Sequence, residues 1–207
     1  MRLRAMAKIN LGLDVVRKRE DGYHDVRMVM QTIRMYDFLE ITPKKSKGIF
    51  LTTNLPYVPV DERNLVYKAA KLLMDEFHVD DGVRIQLQKF IPVAAGMAGG
   101  SSDAAATLVG INRIFHLGLT PAELMRRGVA IGADVPYCIL RGTALAEGIG
   151  EQLTSLPPLP FCYVLIGKPG VSVSTKTAYE NLCLEKIQRH PDIDGMVEAV
   201  RNQDLDG

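Results

Sequence analysis

The chain has no tryptophan, only three cysteines in 207 residues, and a formal charge of just +1. Each shortage excludes a class of protein. Cys138, Cys162 and Cys183 are odd in number, lie far apart and include no C-x-x-C pair. Zinc-ribbon and disulfide-scaffold readings therefore fail, and the expectation is buried free thiols in a reducing compartment. Twenty-five basic against 24 acidic residues is too even a balance for a protein whose main work is gripping nucleic acid. The longest strongly apolar run, Phe161 to Ile166, falls far short of the ~20 residues of a membrane span. The start Met1-Arg2-Leu3-Arg4 is basic, but Lys8, Asn10 and Asp14 break the apolar core that a signal peptide needs. The expectation is a cytoplasmic protein with no nucleic-acid and no membrane partner. Repeats and low-complexity tracts are also missing. What remains is an ordinary globular composition, in a chain long enough to bury roughly 70% of its unfolded surface without a staple.

Alternation of Ile9, Leu11, Leu13 and Val15 with Lys8, Asn10, Gly12 and Asp14 predicts a half-buried strand, followed by a turn at Asp21-Gly22-Tyr23-His24. A second strand fits Asp37 to Ile41. Asp61 is placed to cap a helix running to about Phe77, with Leu65, Val66, Ala69, Leu72 and Leu73 on one side. Strict alternation returns at Val83, Ile85 and Leu87, and a loop opens at Pro92. Ser101 to Phe115 reads as an alanine-rich helix. Thr120-Pro121-Ala122-Glu123 is a capping box with proline at the first helical position. Leu156-Pro157-Pro158-Leu159-Pro160 is the clearest boundary, ahead of an expected buried strand at Phe161 to Ile166. Met196 to Val200 starts a helical pattern with no completed core behind it. Strands and helices that do not strictly alternate predict an α+β or mixed α/β fold.

One segment stands apart chemically: Pro92-Val93-Ala94-Ala95-Gly96-Met97-Ala98-Gly99-Gly100-Ser101-Ser102-Asp103. Glycines let backbone N–H groups converge on a ligand, serines add hydroxyls, and the helix that follows turns its positive end to the same place. The pattern describes a phosphate cradle. It lacks the Gly-Lys-Ser/Thr ending of a Walker loop and is not a G-x-G-x-x-G fingerprint, and by itself it also fits a tight structural turn capped by Ser101. Lys8 and Asn10 share one face of the first strand, where a lysine by itself reads as a solvated edge charge. Asp134, in Gly132-Ala133-Asp134-Val135-Pro136, by itself reads as a turn residue bonding its own backbone. His78, His116 and His190 show no metal-ligand pattern, and the nine methionines read as core filler.

The segments Ala7-Lys8-Ile9-Asn10-Leu11, Asp21-Gly22-Tyr23-His24, the loop and helix from Pro92 to Ala106, Gly132 to Pro136 and Lys168-Pro169-Gly170-Val171-Ser172 occur in one order along essentially the whole chain. In that arrangement the sequence resembles the GHMP kinase superfamily. The Asp-Gly-Tyr-His turn resembles the branch that uses ATP to phosphorylate the 2-hydroxyl of a cytidine-diphosphate-linked methylerythritol in non-mevalonate isoprenoid synthesis. The resemblance implies a two-domain architecture: an N-terminal domain like ribosomal protein S5 domain 2 over 1–155, and the opening of an incomplete α+β C-terminal domain over 156–207. Family members run on to a further glycine-rich segment, and the chain is expected to be a fragment of something longer.

The resemblance also implies roles. Pro92, Val93, Ala94, Ala95, Gly96, Met97, Ala98, Gly99, Gly100, Ser101 and Ser102 match the loop around the ATP phosphates, with Ser102 a Mg²⁺-side hydroxyl. Asn64 and Lys89 match positions near the adenine. Asp134 matches the catalytic base and Lys8 the lysine beside it. Tyr23, His24 and Tyr179 match residues around the cytosine, while Asn10 and Thr175 match further substrate contacts. ATP and Mg²⁺ are the implied cofactors, a small molecule the implied partner, and a monomer or weak homodimer the expected state. The rivals are a homoserine- or mevalonate-type kinase, a fragment that binds nucleotide without transfer, and an RNA-binding domain on a related ribosomal fold. Near-zero charge and the lack of an aromatic-basic patch speak against the last.

Overall fold

The computed structural model describes residues 1–168, 170 and 175–204, with the side chains of 175, 176 and 180 excepted. Two long strands, β1 (Arg2–Lys18) and β2 (His24–Lys44), pair with each other and are joined by the predicted turn. Asp21 accepts the Tyr23 amide at 2.9 Å there, and Gly22 takes a φ of 87°, which suits a residue without Cβ. The chain forms two compact units that interleave in sequence: residues 1–7, 33–93 and 97–140 make the first, and residues 8–32, 94–96 and 141–207 the second.

In the first unit the C-terminal part of β2 pairs antiparallel with β4 (Gly82–Gln88), from Phe38 opposite Gln88 to Lys44 opposite Gly82. A further strand that alternation did not reveal, β3 (Ile49–Thr53), runs parallel to β4. Val83, Ile85 and Leu87 are buried and Arg84, Gln86 and Gln88 exposed, as their alternation requires. Helices α1 (Leu65–Glu76) and α2 (Gly99–Ile114) pack together, and Leu39, Ile41, Leu73, Ile85, Leu108 and Ile111 are among the fully buried core side chains. The α1 cap is Asn64, not Asp61: Asn64 Oδ1 accepts the Val66 amide at 2.9 Å. Asp61 is engaged three residues earlier by the amide and guanidinium of Arg63, so its carboxylate does not reach the helix. The capping box forms as expected at the start of α3 (Pro121–Gly128), and a short helix, α4 (Val135–Leu140), follows directly after Asp134.

In the second unit the N-terminal part of β2 pairs antiparallel with β5 (Thr143–Glu147), and β5 pairs antiparallel with β6 (Gln152–Leu156). Helix α5 (Thr175–Glu180), a 3-10 turn (Leu184–Lys186) and α6 (Ile193–Asn202) complete it. Asp192 caps α6 by accepting the Gly195 amide at 2.8 Å. Contrary to expectation this helix has a core behind it. Ile193, Val197 and Val200 bury against Val29, with Leu11, Leu145, Leu156 and Leu159 around them, contacts too distant in sequence for periodicity to reveal.

Two other expectations are corrected. Phe161 to Ile166 forms no strand and is not buried; Leu165 is 99% exposed. An apolar run becomes a strand only where a neighbouring strand takes its backbone hydrogen bonds, and none of the described strands pairs with it. Of the three free cysteines only Cys138 is buried, in the first turn of α4 where Val135, Pro136 and Tyr137 are buried as well, whereas Cys162 and Cys183 are exposed in irregular segments. No helix among the described residues is long and apolar enough to cross a membrane.

Candidate active site

The segment after β4 leads through the glycine loop into α2. The backbone becomes left-handed at alternate positions, with φ of 53° at Ala94, 71° at Gly96 and 53° at Ala98. Two of these are alanines, for which that conformation costs about 1–2 kcal/mol. Ala98 occupies the N-cap position of α2, and no side chain caps the helix. The first-turn amides of Gly99, Gly100 and Ser101 are thus presented at the positive end of a 16-residue helix, the arrangement that favours a phosphate oxygen.

Gly99 is glycine for lack of room as well. A methyl group there would stand 3.1 Å from Ile91 Cγ2 and 3.1 Å from Lys89 Nζ. Gly132 lies close to the same helix start, since a Cβ on it would be 3.9 Å from Ser101 Oγ. Asp134 is two residues further on, half-buried, with its carbonyl accepting the Cys138 amide at 3.0 Å in the first turn of α4. Packing of α4 on α2 therefore brings the Asp134 turn to the start of that helix. Sequence alone did not dictate this, because 30 residues separate Ser101 from Gly132.

Some expected nucleotide residues have other partners. Ser102 is buried, and its hydroxyl donates to the Met6 carbonyl at 2.6 Å, tying α2 to β1. The more accessible hydroxyl is one residue earlier, on half-buried Ser101. Asn64 is committed to capping α1, and its Nδ2 donates to the Pro59 carbonyl at 2.6 Å. Lys89 is buried, with Nζ donating to Asp37 and, at 2.8 Å, to Asp103. Neither acid was anticipated. The signal for Asp103 was a charged residue in an otherwise alanine-rich helix face, and for Asp37 a charge inside a strand flanked by Tyr36 and Phe38.

The second unit holds the other expected residues. Lys8 is not a solvated edge charge: it is 5% exposed, and its Nζ donates to Asn10 Oδ1 at 3.0 Å across the shared strand face. His24 is buried and its ring lies 5.2 Å from that of Tyr179, with the planes inclined by 32°. Tyr23, next to it, is 58% exposed. The side chain of Thr175 lies outside the described residues, as do Pro169, Val171 and Ser172 of the expected lysine-proline-glycine motif. Among the described residues no group of three His, Cys, Asp or Glu could hold a metal ion.

Residues 64–142 match the GHMP kinases N terminal domain family. A protein of Lachnoclostridium phytofermentans named 4-diphosphocytidyl-2-C-methyl-D-erythritol kinase is 61% identical over 203 residues, which span 98% of this chain and 70% of that protein. The chain belongs to this kinase family. A Clostridium perfringens protein of the same name is 51% identical over 206 residues, covering all of this chain and 72% of its own length. The solved structure of a 4-(cytidine 5'-diphospho)-2C-methyl-D-erythritol kinase, 34% identical, superposes with a TM-score of 0.78 over 98% of this chain and 72% of that one. The homoserine kinase of Cytophaga hutchinsonii, at 17% identity and a TM-score of 0.68, shares the fold alone. Membership establishes a mixed α/β GHMP kinase fold and a small-molecule phosphotransferase that uses ATP. It disfavours the homoserine-type and mevalonate-type rivals.

Proposed function

We propose that the chain transfers the γ-phosphoryl group of ATP to the 2-hydroxyl of 4-diphosphocytidyl-2-C-methyl-D-erythritol. The observation that carries this is 61% identity to a protein of that name along nearly the whole chain, combined with a glycine loop that opens an uncapped helix. Phosphoryl transfer asks for alignment and charge neutralisation more than covalent chemistry. In this reading Pro92 to Ser101 bind the triphosphate, with the Gly99, Gly100 and Ser101 amides on its oxygens. Asp134 accepts the proton of the attacking hydroxyl, and late proton removal suits a carboxylate. Lys8, buried against Asn10, neutralises negative charge on the substrate side. Tyr23, His24 and Tyr179 hold the cytosine by ring faces and ring-edge hydrogen bonds, and Asn10 and Thr175 contact the remainder of the substrate.

Mg²⁺ enters this proposal as an ion carried by the nucleotide phosphates, the usual mode for this metal. Among the described residues no group of three His, Cys, Asp or Glu forms a protein cage for it, and Ser102 would at most add one hydroxyl oxygen on its side. The division of the chain at about residue 155, the monomeric or weakly dimeric state, and the cytoplasmic setting belong to the same proposal. A coupled assay of ADP release tests it. ADP formation that requires the cytidine substrate supports the reading, and ATP binding without substrate-dependent ADP release refutes it.

A further inference from the structure

Lys89, Asp37 and Asp103 form a buried ionic cluster beside Gly99, on three different segments of the first unit. Asp37 lies in β2. Its Oδ2 accepts from Lys89 Nζ, and its Oδ1 accepts the amides of Phe90 and, at 2.8 Å, Ile91, the two residues before Pro92. Asp103 sits four residues into α2 and takes Lys89 Nζ at 2.8 Å. The Lys89 main chain is held as well: Asn54 Oδ1 accepts its amide at 2.7 Å, and Asn54 Nδ2 donates to its carbonyl at 3.1 Å. One ammonium thus joins the backbone that leads into the loop to the helix that leaves it, and Gly99 rests against that ammonium.

Burying three ionisable groups is expensive, and well-packed apolar residues commonly replace such clusters without loss of stability. A role in fixing position accounts for the expense better than a role in holding the fold. We propose that Lys89 is a positioning residue for the ATP loop: by bridging Asp37 and Asp103 it fixes the first-turn amides of α2 in their phosphate-binding arrangement before nucleotide arrives. This rests on the reading of that loop as the ATP site. It assigns the influence of Lys89 on ATP to pre-organisation, which lowers the ordering cost of binding. Asp103 Oδ1 has no hydrogen-bond partner among the described residues, and burial pushes its carboxyl well above the ordinary range, against the opposing pull of Lys89. The Asp103→Asn side chain keeps an oxygen that can accept from Lys89 Nζ, so this substitution preserves the bridge that Asp103→Ala removes.

The test compares Asp103→Ala with Asp103→Asn in the full chain. Alanine is a good helix former and leaves Lys89 paired with Asp37, so the fold is expected to persist, as a cooperative melt would show. Losing a hydrogen bond to a charged group is worth about tenfold, so Asp103→Ala should raise KM for ATP, and Kd for a fluorescent ATP analogue, about tenfold or more. KM for the cytidine substrate should stay within about twofold, a margin well below the ~1.4 kcal/mol of a tenfold change. Asp103→Asn should restore ATP affinity. Unchanged ATP affinity in Asp103→Ala, equal losses in the alanine and asparagine variants, or parallel losses for both substrates would each overturn the proposal. If Asp103→Ala loses its cooperative melt, Asp37→Asn combined with Lys89→Met decides instead, since the Asp37→Asn side chain keeps an oxygen for the Phe90 and Ile91 amides while the bridge is gone. The same ATP-selective defect supports the proposal, and wild-type ATP affinity or a loss shared by both substrates overturns it. Wild-type chain that binds the ATP analogue but never phosphorylates the cytidine substrate refutes the functional reading and leaves this comparison readable through analogue affinity.

Discussion

His24 and Tyr179, 155 positions apart in sequence, place their rings 5.2 Å from each other, while Tyr23 beside His24 turns outward and stays largely exposed. His24 is therefore an aromatic neighbour of Tyr179. An aromatic contact together with a ring-edge hydrogen bond is worth about 1–2 kcal/mol, so His24→Ala should raise KM for the cytidine substrate about tenfold and leave KM for ATP unchanged. Tyr23→Ala should alter the melting temperature little, because the ring is exposed. A rise in substrate KM in that variant then reports binding and not folding. Steady-state kinetics with each substrate varied in turn checks both outcomes.

Asp134→Asn keeps the shape of the turn and its backbone bond to Cys138 but removes the proton acceptor. General-base loss typically costs about 10²–10⁴ in rate, and the expected result is a kcat reduced by that much with both KM values nearly unaltered. A kcat within a few-fold of wild type would remove Asp134 from the chemistry.

The dependence of stability on pH should carry two opposite signs. Hydrogen bonding to Arg27 holds Asp194 below the usual carboxylate range, and Arg17 with Arg19 does the same for Asp25. For these the unfolded chain binds protons more readily, so their contribution is complete above about pH 4 and is lost as pH falls through the depressed folded values. Asp103 is the reverse. Its folded value is raised by burial, so its folded form holds the proton more tightly and stability declines as pH climbs from about 4 toward that raised value. Asp103→Asn, which cannot ionise, should gain in melting temperature relative to wild type on going from about pH 4 to about pH 8, whereas Asp194→Asn should show a weaker acid-induced drop below about pH 4. Thermal melts across that range measure both.

Gly82 opens β4 under backbone. A Cβ there would fall 2.0 Å from the Ser46 carbonyl oxygen and 2.7 Å from that of Gly48, and main-chain atoms cannot swing aside as side chains do. Gly82→Ala is expected to destabilise by at least the ~1–3 kcal/mol typical of overpacking, read as a lower denaturant midpoint. Gly100→Ala is the control, because its added methyl would meet only Leu65 Cδ1, at 3.5 Å.

Much of the first unit was legible residue by residue. The alternation in β4, the capping box of α3 and the alanine-rich α2 are local patterns, and local sterics and hydrogen bonding decide them. The left-handed loop that opens α2 is equally local, and so, in the second unit, is the shared strand face of Lys8 and Asn10, since residues two apart on a strand point the same way. Where two local signals competed, the reading failed. Asp61 and Asn64 are both good caps, and the choice fell to Asn64 because Arg63 claims Asp61.

The chemical vocabulary of this protein — a glycine-serine loop before a helix, an aspartate in a tight turn, a tyrosine-histidine turn — was written in the order of its residues, because each feature needs only its immediate neighbours. Tertiary structure alone decided which groups meet: Ser102 on Met6, Lys89 between Asp37 and Asp103, His190 on Asp14, and the apolar face of α6 on Val29. Burial and electrostatic pairing depend on what the fold brings within a few ångströms, and in these cases the partners stand from 14 to 176 positions apart along the chain.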